Sequence, residues 1–85
     1  MENVDFIVIQ MENGQSFSVE KVCDYDGEFV LRATLLESGE TSRGVAVEYD
    51  RSKSFMDNVL DMYEFIGEFL KTPQGKILFG EKFQH

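Results

Sequence analysis

Residues 54–70 read SFMDNVLDMYEFIGEFL. Placed on a helix at ~100° per residue, they separate into two unequal faces. Phe55, Met56, Val59, Leu60, Met62, Tyr63, Phe65, Ile66, Phe69 and Leu70 cover an arc of roughly 220°, whereas docking on one sheet face needs a stripe of about 100°. The helix therefore has more apolar surface than one contact hides. Asp57, Asp61, Glu64 and Glu68 fall at i, i+4, i+7 and i+11, a strip roughly 60° wide with no Lys or Arg among them. Asn58 and Gly67 interrupt the apolar arc: a small residue allows close approach, and a lone polar one can fix register in an interface.

Working back towards the N-terminus, three turn signals punctuate the chain: Asn13-Gly14, Asp26-Gly27 and Ser38-Gly39. Glycine, helped by Asn or Asp, adopts the positive φ that tight hairpins demand. Between the turns lie β-rich segments at Val4–Met11, Ser16–Cys23, Glu28–Leu36 and Ser42–Tyr49, the spacing of an antiparallel meander. Alternation puts Phe17 and Val19, then Phe29, Leu31, Ala33 and Leu35, then Val45, Val47 and Tyr49 on one covered side. Ser16, Ser18, Glu20, Arg32, Thr34, Glu48 and Asp50 face water. The first strand breaks the pattern: Phe6, Ile7, Val8 and Ile9 are consecutive and apolar on both faces, so something should cover its second side. Alternation also slips at Glu20-Lys21-Val22, which reads as a β-bulge or a frayed strand end.

Working forward from the helix, Asp50-Arg51-Ser52-Lys53 is a polar connection. Ser52 or Ser54 is positioned to cap the helix, with Asp57 three residues after Ser54 in a capping-box-like spacing. The helix should stop near Lys71, because the residue before Pro73 disfavours helical geometry. Thr72 can itself cap a short helical turn with Pro73 in its first position. The last apolar cluster, Ile77, Leu78, Phe79 and Phe83, reads either as that turn or as a fifth edge strand.

Eighty-five residues make one domain, spanning 1–85, whose core is barely sufficient alone. Eight Phe, about twice the usual frequency, add a large burial requirement. Sixteen acids against eight bases give a formal charge of -8, which repels nucleic acid and anionic membrane and favours basic partners. No segment approaches the ~18 apolar residues of a membrane span, and the acidic N-terminus is unlike a signal peptide. Cys23 is the only cysteine, so an intramolecular disulfide is excluded. A half-buried strand thiol and a cytoplasmic location follow as expectations.

The chemistry of catalysis is poorly represented. The only histidine is His85, the last residue, where nothing orients it, so positioned Ser-His-Asp and Cys-His arrangements are excluded. The helical acids share one water-facing strip and lack the contrasting environments of an acid–base pair. Asp57/Asp61 and Glu64/Glu68 are i,i+4 carboxylate pairs, but an oxygen-ligand metal site needs more converging groups than one helix supplies. Asp24-Tyr25-Asp26-Gly27-Glu28 lacks the full spacing and distal Glu of a calcium loop and reads as a hairpin turn. Gly75-Lys76 has no phosphate loop around it. No catalytic residue, metal or cofactor is assigned.

The sequence thus predicts an α+β fold, a four-stranded antiparallel β-meander with one long amphipathic helix packed on one face and a short C-terminal element. The functional expectation is a non-catalytic acidic interaction module presenting Asp57, Asp61, Glu64 and Glu68 to a basic protein surface. Small phage or bacterial inhibitor and immunity proteins that occlude nucleic-acid-handling partners are the class with this size and charge. The alternative is an assembly domain that homodimerises through the helix, with Met56, Leu60, Tyr63 and Phe65 as the candidate interface and the charge serving solubility. A partner between helix and sheet in the form of a small molecule needs an internal pocket, which sequence does not reveal.

Overall fold

The computed structural model of the chain describes residues 6–23, 26–36 and 43–80. Strands β1 (Phe6–Gln10), β2 (Ser16–Cys23), β3 (Phe29–Leu35) and β4 (Gly44–Glu48) are followed by helices α1 (Phe55–Phe69) and α2 (Pro73–Phe79). The strands form one antiparallel sheet in the order β1-β2-β3-β4. The fold is α+β, as the turn spacing predicts. The Ser38-Gly39 turn, Val4 at the start of the expected first strand and Phe83 lie outside the described residues.

The first hairpin shows why its sequence folds as it does. Met11 and Gln15 close a three-residue loop: the Gly14 N–H donates to the Met11 carbonyl at 3.0 Å and the Met11 N–H to the Gln15 carbonyl at 2.7 Å. The Asn13 side chain accepts from the Gln15 N–H at 2.9 Å. Gly14 has φ +94°, the left-handed residue that follows the turn in a three-residue hairpin loop.

Strand register aligns the covered side in rows. Ile7, Val19, Ala33 and Val45 form one row, and Ile9, Phe17 and Leu35 form the next. Phe17, Val19, Leu31 and Ala33 have no exposed surface, and Leu35 is buried with them. The slip at Glu20-Lys21-Val22 is neither a bulge nor a frayed end, because β2 stays in continuous register with β3 through Cys23 opposite Phe29. Lys21 occupies a core-side position and lays its ammonium over the rings of Phe29 at 4.5 Å and Tyr49 at 4.6 Å. A cation–π contact and a buried stem thus replace the apolar residue that alternation expects. Cys23 is exposed rather than half-buried, since it ends the strand beyond this aromatic pair.

Helix α1 packs over β3 with Val59, Met62 and Ile66 buried beneath it. Each such burial stabilises by about 1.5–3 kcal/mol. Ser54 is the N-cap: its backbone is extended and its Oγ accepts from the Asp57 N–H at 3.1 Å. Asn58 is also buried, at 5% exposure. Its role lies within the chain: Oδ1 accepts from the Asp50 N–H at 2.8 Å, and Nδ2 donates to the carbonyls of Asp50 at 3.0 Å and Ser54 at 2.8 Å. One amide therefore ties the β4–α1 connection to the first turn of the helix.

Thr72 ends one helix and begins the next. Its hydroxyl donates to the Phe69 carbonyl at 2.6 Å and accepts from the Gly75 N–H at 3.0 Å, and Pro73 occupies the first turn of α2. A Cβ on Gly75 would collide with the Phe69 carbonyl oxygen, so glycine permits this tight reversal. The C-terminal apolar cluster is helical through Phe79, not a fifth strand. Phe79 is fully buried and meets Phe17 edge-on at 5.0 Å and Phe69 at 6.0 Å. The final carbonyls of α2 are held from the sheet side: Arg43 Nη1 donates to Leu78 O at 2.6 Å and Gln15 Nε2 to Phe79 O at 2.7 Å. These bonds offset the carbonyls left orphaned where a helix ends.

Candidate protein-binding surface

With Val59, Met62 and Ile66 turned to the sheet, the α1 periodicity carries Asp57, Asp61, Glu64 and Glu68 to the opposite side. All four are exposed. Two have a cation beside them. Lys53 Nζ donates to Asp61 Oδ2 at 2.7 Å, and Lys71 Nζ lies 3.6 Å from Glu68 Oε2. The hydrogen bond and charge of Asp61 hold the Lys53 ammonium above its ordinary pKa. Just upstream, the hydroxyl and N–H of Ser52 bond Asp50 and hold its carboxyl below the ordinary range. The last turn of α1 contains no basic residue, so Glu68 opposes the helix dipole with only Lys71 nearby.

The strip borders a shallow groove of about 590 Å³ between the second half of α1 and the first hairpin. Tyr63, Gly67, Leu70 and Met11 line it, while Glu64 and Glu68 stand on one side and Glu12 and Asn13 on the other. The hairpin lies close to the helix at Gly67, where a Cβ would sit 3.8 Å from the Met11 methyl, an ordinary van der Waals distance that leaves room for a small side chain. Glu12 is a member of this surface that sequence reasoning missed. It is adjacent to the Asn13-Gly14 turn signal, but only tertiary packing brings that hairpin beside α1.

The four residues of the candidate dimer interface do not form one patch. Met56 and Leu60 are 47% and 58% exposed, and Tyr63 is half-buried in the groove. Phe65, 40% exposed, lies ~140° around the axis from Leu60, with the acidic strip between them. It stacks on Phe69 at 5.7 Å with ring planes 12° apart. The apolar arc is thus divided: the sheet covers its centre, α2 covers the Phe69 side through Phe79, and Met56 and Leu60 remain open.

Among the described residues no three or more His, Cys, Asp or Glu side chains are grouped as a metal site, and no helix is long and apolar enough to cross a membrane. Asp26 and Glu28 are exposed at the β2–β3 turn. Asp24, Glu37 and Glu40 lie outside the described residues. No family model, curated protein or solved structure matches this chain.

Proposed function

We propose that the protein is a non-catalytic interaction module whose α1 outer surface docks on a basic protein surface, of the kind that otherwise holds nucleic acid. The observation that carries this reading is the exposed run of Asp57, Asp61, Glu64 and Glu68, with Glu12 adding a fifth carboxylate across a groove of side-chain dimensions. Like charges at i,i+4 cost a helix a few tenths of a kcal/mol per pair, a cost that charge complementarity to a partner offsets. Such a field steers a basic protein into contact and raises its association rate. A small inhibitor or immunity-type protein that occludes a nucleic-acid-handling partner in the cytoplasm is the biological form this chemistry suits.

The test is to capture basic proteins with the wild-type chain and with the double variant Asp61→Lys/Glu64→Lys. Association kinetics of the captured partner are then measured against salt. The reading requires an association rate that falls steeply with ionic strength and binding lost in the double variant while its circular dichroism is unchanged. Equal binding by the reversed protein makes the strip a solvated face. The competing reading, an assembly domain whose charge serves solubility alone, draws on the exposure of Met56 and Leu60; it requires Leu60→Glu to release monomer.

A further inference from the structure

The sheet has a second face. Phe6 and Val8 of β1, at 55% and 50% exposure, and Leu36, at 48%, point away from the helices. Val22 and Val30, half-buried, stand on the same side. Both helices lie on the other side, and no described element covers this one. The register centres an ion pair on it: Phe6, Glu20, Arg32 and Ala46 form one cross-strand row, with Arg32 Nη2 2.6 Å from Glu20 Oε2. Among the described residues the one other ionised residue at an outward strand position is Glu48, and Gln10, Ser16, Ser18 and Thr34 are the neutral polar ones.

We propose that this face binds a second copy of the chain, pairing two sheets face to face about a two-fold axis. An isologous contact sets the same patch against itself, so a patch of one sign repels its copy. At a net charge of -8 the chain has few surfaces that meet this condition, and the α1 side fails it. The open sheet face satisfies it, because its apolar residues match themselves and its ion pair offers both signs. A two-fold axis lets each Arg32 face the other copy's Glu20.

Size sets the strength. Four strands of five to eight residues, at ~4.8 Å between strands and ~3.3 Å per residue, make a face of about 19 by 20 Å. Two such faces with their side-chain relief bury about 800–1,000 Å², at the lower edge of specific interfaces. The dimer therefore belongs with weak, transient contacts. Its salt response has the opposite sign to that of a basic partner: screening relieves repulsion between two acidic chains, so salt tightens it.

Sedimentation velocity of the full chain from about 10 µM to 1 mM, at low and high salt, tests this directly. A reversible dimer that salt strengthens is expected. Val8→Glu should raise its dissociation constant at least ~10-fold by burying an unpaired carboxylate, whereas Leu60→Glu, which adds the same charge on the helix, should change it less than ~2-fold. Methyl NMR of the wild type over the same series needs no variant to fold: Val8, Val22 and Val30 should shift with concentration while Met56 and Leu60 stay fixed. A monomer at every concentration, a dimer that salt dissolves, weakening by Leu60→Glu, or shifts centred on Met56 and Leu60 each overturn the proposal. Failure here leaves the acidic-strip reading standing, since the experiment contains no basic partner.

Discussion

The two faces of the sheet draw on similar residues and meet different fates. Phe17, Val19, Leu31 and Ala33 lose all their exposed surface, whereas Phe6 and Val8, on strands of the same sheet, keep half of theirs. Intrinsic hydrophobicity does not separate Phe17 from Phe6. What separates them is the covering material: a 15-residue and a 7-residue helix, both on one side. A chain this short can close one layer over a sheet and leaves the other side to water or to another molecule. The outer surfaces then differ in kind, acidic over α1 and mixed over the sheet, where exposed apolar side chains stand among neutral polar ones around an internal ion pair.

The largest expected effect tests that asymmetry. Phe17→Ala removes a ring fully enclosed by Phe79 and the α1 side of the core and should cost about 3–5 kcal/mol. That is a large share of the ~5–15 kcal/mol typical of a domain. Phe6→Ala, one strand away on the outer face, should cost less than about 1 kcal/mol in the monomer. Urea unfolding in dilute solution compares the two. Similar losses would mean that the outer face is covered within the monomer and would erase the distinction.

How legible this was depends on the range of the cause. The meander, the Ser54 cap and the Thr72-Pro73 break follow from residues within four positions of one another, and the structure has all three. The assignment of Leu31, Ala33 and Leu35 to the core follows from period-two alternation. Lys21 defeated that pattern because its long stem and cation fit between Phe29 and Tyr49, rings that sequence does not place side by side. The choice between helix and strand for Ile77-Leu78-Phe79 turned on contacts to Phe17, Gln15 and Arg43, at least 35 residues away. The four acids of the strip were readable from α1 alone, whereas Glu12 and the groove depend on where the first hairpin folds. Asn58 was recognised as anomalous from its position, but its partners were not: the sequence offered an interface role, and the structure uses it as a knot.

An intermediate effect sharpens what covering requires. Asn58 is the polar residue on the buried side of α1, so its contribution separates apolar contact from hydrogen bonding. Asn58→Ala strands the Asp50 N–H, while the Asp50 and Ser54 carbonyls lose one donor each and keep the backbone N–H groups of Lys53 and residue 58; the loss should cost about 1–3 kcal/mol. Asn58→Leu restores volume without polar atoms and should recover little of it. If Asn58→Leu unfolds at the wild-type midpoint in urea, burial alone fixes the start of α1 and the amide network is incidental.

The smallest effect on stability falls on the uncovered acidic side, and there it separates stability from recognition. Lys53 is exposed and bonds Asp61, so it both neutralises part of the strip and contributes little to folding, as exposed pairs generally do. Replacing Lys53 with Gln takes the formal charge from -8 to -9 by removing one cation. At neutral pH the unfolding midpoint should lie only slightly below wild type, while association with a basic partner should quicken by about two- to fivefold at low salt. Asp61 raises the folded-state pKa of Lys53 above its ordinary 10.5. The stabilisation from the pair is therefore complete below 10.5 and lost as pH rises through the folded value, an alkaline loss that Lys53→Gln should lack. Asp50 gives the acid-side counterpart, present in both proteins: its pKa is lowered from 3.8 by Ser52, so its contribution holds above 3.8 and disappears as pH falls through the folded value. Faster binding with so small a shift in midpoint would show that the Asp61 carboxylate is more useful to a partner than to the fold. A much lower midpoint with unchanged binding would instead assign the Lys53–Asp61 pair to holding the β4–α1 connection, and the strip would lose its central member.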